Sequence, residues 1–157
     1  MKTPKSPEEL CWLYAAGCLE DRHNAGTLED DAYAVLKMCM NSNKFPPEKL
    51  IRDSFPKPFA YLEKHWGEIS MRNMRIYWRL EHLEFDQQTP VYLARIRNLV
   101  PVPDKPRMVE VYTSAQMKHP SGRPGGRQTY VENIHQYDLS KVQHVYIHGQ
   151  VLAEILP

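Results

Sequence analysis

Asp86-Gln87-Gln88-Thr89-Pro90-Val91-Tyr92-Leu93-Ala94-Arg95-Ile96-Arg97-Asn98-Leu99-Val100 is the stretch on which the fold turns. Its first five residues are polar and end in proline. Its last ten alternate, with Tyr92, Ala94 and Ile96 on one face and Arg95 and Arg97 on the other. Alternation with a period of two marks a strand buried on one side. Everything before Asp86 has the 3.6-residue period of helices, and everything after Pro90 the period of strands.

Upstream, Ser6-Pro7-Glu8-Glu9 forms a capping box with proline at the first helical position, where its missing N–H costs nothing. A helix is expected from Pro7 to about Arg22. Leu10 to Leu19 is almost wholly apolar, so this helix should be surrounded by the others. Thr27-Leu28-Glu29-Asp30 opens a second helix in a box-like way. Its buried face is expected to be Ala32, Val35, Leu36, Cys39 and Met40, with Val35 and Leu36 at the centre. Pro46-Pro47 opens a short third helix. Phe59 to Trp66 reads as a fourth, closed at Gly67. Ser70 caps a fifth, Met71 to about His82, with Met74, Tyr77 and Trp78 on its core side.

Downstream, strands are expected at Val91 to Val100, Met108 to Gln116, Gln128 to Ile134 and Val142 to His148, with Val151 to Leu156 as a fifth strand or a short terminal helix. The 13 prolines in 157 residues fit short elements and argue against a long-helix bundle. The fold class is therefore α+β: about five short helices packed on an antiparallel sheet or small open β-barrel of four to five strands. The helical part (1–88) and the β part (89–157) are expected to form one compact unit.

Charge is uneven along this division. Residues 1–88 hold 12 Lys/Arg against 14 Asp/Glu, net −2, and residues 89–157 hold 8 against 5, net +3. Four of the cations, Arg107, Lys118, Arg123 and Arg127, fall in the hairpin Arg107 to His135, against two glutamates, Glu110 and Glu132. The hairpin's long tip, Lys118 to Arg127, is rich in Gly and Pro. Arg123 and Arg127 have the fork geometry that clamps phosphate or carboxylate, and Tyr112 and Tyr130 flank the tip as stacking platforms. Arg95 and Arg97 extend the cationic set. The candidate binding residues are thus Lys118, Arg123, Arg127, Tyr112, Tyr130, Arg95 and Arg97.

Catalytic constellations are weak. There is no GxSxG and no HExxH, and Gly122-x-x-Gly125-Gly126 is followed by a strand instead of the helix a phosphate loop needs. The cysteines, Cys11, Cys18 and Cys39, lie within helix, where an apolar setting disfavours the thiolate. His144 and His148 share a strand face but stand ~13 Å apart at ~3.3 Å per residue, too far to chelate one ion. No cofactor and no metal are expected. The odd cysteine count gives no disulfide framework. Met1-Lys2-Thr3-Pro4-Lys5 leads straight into a capped helix, without a signal peptide, and no apolar run approaches the ~20 residues of a membrane span. A cytoplasmic protein with no membrane partner is expected.

The leading functional reading is a non-catalytic accessory protein, an assembly factor or small subunit, that presents its basic hairpin to a protein partner in a larger complex. The alternative is a nucleic-acid-binding protein using the hairpin as a wing. A third is a small enzyme whose groups, such as Glu81, His82, His135 and His148, assemble in space. One continuous basic face would favour nucleic acid, scattered arginines around a greasy patch a protein partner, and a histidine-lined pocket an enzyme.

Overall fold

A computed structural model of the chain describes residues 3–82, 91–99, 104, 107–113 and 128–156. The helical part precedes Leu83 and the strands follow Pro90, as the change of period requires. Helices α1 (Pro7–Ala15), α2 (Leu19–Asn24), α3 (Asp30–Asn41), α4 (Glu48–Ser54), α5 (Pro56–Trp66) and α6 (Met71–Ile76) form five rods, because α1 and α2 are one rod joined by a 3-10 turn, Ala16–Cys18. The last rod continues from α6 into a π-helical turn, Tyr77–Glu81.

Caps act where the sequence puts them at two ends. The Ser6 hydroxyl accepts from the Glu9 amide at 3.2 Å, and Ser70 accepts from Asn73 at 3.1 Å. The start of α3 differs from expectation. Its N-cap is Glu29, without a side-chain cap, and the Thr27 hydroxyl instead donates to the Arg22 carbonyl at 3.0 Å. Thr27 therefore serves the loop that leaves α2. The apolar face of α3 is also rotated. Leu36, Cys39 and Met40 are buried, whereas Val35 is 38% exposed, so the stripe centres on Leu36 and Val35 sits at its rim.

Helix α1 is the hub. Leu10 to Ala15 are all inaccessible, and α1 touches α4, α6 and strands β4 and β5. An element apolar all round is stable only inside.

Strands β1 (Val91–Asn98), β2 (Met108–Thr113), β3 (Gln128–Glu132), β4 (His144–His148) and β5 (Val151–Ile155) are hydrogen-bonded in the order β1-β2-β3-β5-β4, with β4 returning to β1. Four neighbouring pairs are antiparallel, and β3 meets β5 in parallel at one position, Glu132 opposite Val151. The sheet is therefore mixed, not wholly antiparallel, and curls into a barrel that only just closes. The parallel contact arises because β4 and β5 form a hairpin through Gly149, at φ 61°, and the hairpin brings β5 back alongside β3. The last segment is thus a strand, not a helix.

One face of each strand fills the barrel. Tyr92 lies opposite Ile147, Ala94 opposite Val145, Ile96 opposite Val111, and Val109 opposite Val131. The other face points outward, and its two halves have different surroundings. Over β4, β5 and the start of β1 it is covered by α1, the 3-10 turn and the π turn. Over the rest of β1, β2 and β3 it carries exposed side chains. Among the described residues no helix is long and apolar enough to cross a membrane.

Candidate functional site

The uncovered face is built by strand register. Arg95 lies opposite Tyr112 on one side and His144 on the other, Tyr112 lies opposite Gln128, and Glu110 lies opposite Tyr130. Neighbouring strands are ~4.8 Å apart, so these outward positions form short rows across three or four strands. A bulge between Ile96 and Asn98 re-aims Arg97, whose Nε stands 3.6 Å from the Glu110 carboxylate. Tyr112 is 41% exposed and Tyr130 48%. Arg95 is exposed, and among the described residues no carboxylate pairs with it. Arg95, Arg97 and Tyr112 line a shallow depression.

Four of the seven sequence-derived candidates, Arg95, Arg97, Tyr112 and Tyr130, therefore share one surface. Lys118, Arg123 and Arg127 lie outside the described residues. The chain that carries them leaves β2 after Thr113, next to Tyr112, and re-enters at Gln128, two residues before Tyr130.

Three histidines of the enzyme alternative, His82, His135 and His148, are buried, and so is a carboxylate outside that set, Glu154. Glu154, in β5, accepts from the Tyr14 hydroxyl at 2.7 Å, from Arg79 at 2.7 Å and from Arg75 at 3.0 Å. Burial, with the Glu154 charge added, holds the Tyr14 phenol protonated well above its ordinary range. A carbonyl can only accept, so the close contacts of His148 Nδ1 with the Tyr14 oxygen at 2.6 Å and of His135 Nε2 with the Leu13 oxygen at 2.9 Å fix those nitrogens as donors. Both histidines thus bind carbonyls in the last turn of α1, where the rod passes into the 3-10 turn. His82 and His148 do come together, ring centroids 5.0 Å apart and edge-on, with Trp78 4.6 Å from His82. His135 is engaged with α1, and His65 packs on Tyr61 within α5.

Cys18 departs from the expectation of a thiol buried in helix. It is partly exposed, and its Sγ lies 3.5 Å from His148 Nε2 and 3.8 Å from Nδ1. Near-equal distances put the sulfur beside the ring, off the Nε2 lone-pair axis along which a proton would pass. Gly17 makes this approach possible. A Cβ there would stand 2.9 Å from the His148 carbonyl oxygen. Cys11, by contrast, is fully buried, and burial pushes its thiol far up. Among the described residues no three His, Cys, Asp or Glu side chains are grouped to hold a metal ion.

One cluster escaped the sequence reading. Arg72, Arg75 and Arg79 line a cleft with Leu80 and Tyr146, between the last helical rod and β4. Their spacing of i, i+3 and i+7 is that of a single helix face. The signal was present, but the apolar side of the same rod, Met74, Tyr77 and Trp78, decided its reading.

Compared with family models, curated proteins and solved structures, the chain matches none.

Proposed function

We propose that this protein binds single-stranded nucleic acid on the outer face of β1, β2 and β3, with Lys118, Arg123 and Arg127 as further cations for its phosphates. The observation that supports this best is the pairing of two half-exposed tyrosines with Arg95 and Arg97 on a part of the barrel where, among the described residues, the side chains are exposed. Tyrosine rings on a sheet face stack on unpaired bases, and guanidiniums beside them take phosphates. Duplex bases are stacked on each other and offer no free face, so the arrangement favours a single strand.

Magnitudes give the division of labour. Two base stacks contribute roughly 2–6 kcal/mol, short of the ~8 kcal/mol of a micromolar complex. Phosphate contacts must supply the rest, and the net charge of +3 on residues 89–157 is their source. By fold-level analogy, five strands in a partly open barrel are the outline of oligonucleotide-binding barrels, which use their β2–β3 face. Three cysteines outside any disulfide suit the reducing cytoplasm expected from the sequence.

Fluorescence anisotropy with labelled dT and U 12-mers and a 12-base-pair duplex, between 50 and 200 mM salt, tests this. The single strands should bind more tightly than the duplex, and log K should fall linearly with log salt, by about 0.7 for each phosphate contacted. If neither single strand binds at 50 mM salt, the reading fails. Capture of an acidic protein through Arg95 and Arg97 would then place the chain with the accessory proteins that the hairpin first suggested.

A further inference from the structure

We propose that the binding track continues from β1 over Tyr146 into the arginine cleft beside the last helical rod, which takes a further phosphate of the same strand. This rests on the nucleic-acid reading of the barrel face and extends it to a second subsite.

Charge in the cleft is unbalanced. Arg75 and Arg79 both bind Glu154, two guanidiniums on one carboxylate. Arg72 is exposed, and among the described residues no carboxylate pairs with it. Arg72, Arg75 and Arg79 against Glu154 leave two positive charges facing a common opening. The two inner arginines are held in place. Arg79 donates through Nε to the Tyr14 hydroxyl at 3.1 Å and through Nη2 to Glu154, and its guanidinium lies 4.1 Å from the centre of the Tyr146 ring. Arg75 keeps its side chain 37% exposed while it binds Glu154. Guanidiniums fixed in this way lose little freedom on meeting an anion.

The cleft is continuous with the barrel face. Tyr146 lies opposite Leu93, and the next outward pair on the same two strands is His144 with Arg95, which itself faces Tyr112. From Tyr112 to Tyr146 is two strand spacings across and two residues along, about 12 Å over the surface. Three aromatic and three cationic groups therefore follow one another, from Tyr130 through Tyr112, Arg95 and Tyr146 to Arg79 and Arg72. Leu80, 69% exposed at the cleft edge, gives a sugar or base an apolar wall.

The test is an anisotropy series with dT oligomers of 4, 6, 8, 10 and 12 nucleotides, using wild type, Arg72→Ala, Arg72→Glu and Arg95→Ala. Arg95→Ala should weaken binding at every length that binds. Arg72→Ala should leave the 4-mer unchanged, yet lower the salt slope for the 12-mer by about 0.7, and Arg72→Glu should weaken the 12-mer further. If both Arg72 variants bind the 12-mer like wild type while Arg95→Ala binds it less well, the cleft is outside the track and the barrel face stands alone. If wild type binds no oligomer, the reading of the barrel face fails and this inference with it.

Discussion

The two outer faces of the barrel carry the same kinds of residue to opposite ends. On the covered face, over β4 and β5, Glu154, Tyr14, Arg75 and Arg79 bind one another, and His148 and His135 bind carbonyls of α1. On the bare face, over β1 to β3, Arg97 makes one long contact with Glu110, and Tyr112 and Tyr130 stand half in solvent. Residue type alone does not separate structural polar groups from available ones. What separates them is the helix lying on top. The buried Glu154 carboxylate has to be answered within the fold, by Tyr14, Arg75 and Arg79, whereas the two partly exposed arginines also border the open cleft. A bare guanidinium keeps its bonding capacity for a ligand.

Removing the Glu154 carboxylate should break the covered face most severely. Glu154→Ala removes the carboxylate that Arg75, Arg79 and the Tyr14 hydroxyl share. Stripping one partner from a buried ion pair costs about 3–5 kcal/mol. Arg75 and Arg79 keep 37% and 21% side-chain exposure, so the low end, about 3 kcal/mol, is expected in a denaturant melt. A loss below about 1 kcal/mol would erase the contrast between the faces. Gly17→Ala should come next. Its Cβ meets the His148 backbone, which cannot swing away, and overpacking of this kind costs about 1–3 kcal/mol. A melt unchanged from wild type would show that the turn is looser than its contacts imply.

On the bare face the effect should move from stability to binding. Tyr112→Thr keeps a strand-forming residue and should change stability by no more than about 0.5 kcal/mol. It should weaken oligonucleotide binding by about 1–3 kcal/mol. The reverse pattern, a destabilised protein with unaltered binding, would make Tyr112 part of the covered architecture. Alkaline pH sharpens the same division more gently. Burial raises the pKa of Tyr14, and also that of Tyr137, whose hydroxyl donates to the Ala153 carbonyl at 2.9 Å. The unfolded chain ionises its tyrosines near 10, so both contributions are complete below that pH and decline above it. Each takes about 1 kcal/mol by pH 10.5. Melts between pH 8 and 11 should show the decline, and Tyr137→Phe should make it shallower.

Legibility in the sequence followed locality. The period change at Pro90, the Ser6 and Ser70 caps and the alternation of Tyr92, Ala94 and Ile96 against Arg95 and Arg97 depend on neighbours a few residues away. The helices-then-strands order, both caps and the alternation as far as Ile96 appear in the structure, and the bulge between Ile96 and Asn98 re-aims Arg97. The parallel contact of Glu132 with Val151, the tilt of α3 away from Val35 and the use of Thr27 in a loop depend on packing between distant segments. The candidate site divides in the same way. Arg95 and Arg97 are legible through strand alternation, and Tyr112 and Tyr130 through their place beside the hairpin tip. Whether Arg72 and Arg75 would face Tyr146 was undetermined without knowing that the last rod lies on β4. The meeting of Cys18 with His148 was equally hidden, since 130 residues separate them.

The bonds that hold α1 have a further consequence, for synthesis. The most apolar segment of the chain, Leu10 to Leu19, leaves the ribosome before the residues that bind it. Its partners, His135, His148 and Glu154, are among the last described. At ~5–20 residues per second, more than a hundred residues must follow before those partners exist, a delay on the order of 10 s. For that interval Trp12 and its leucine neighbours have no barrel to lie against. Contacts so distant along the chain also make spontaneous folding slow. The nascent protein is accordingly expected to be a client of ribosome-associated chaperones, bound through α1 and released when β5 pairs with β4.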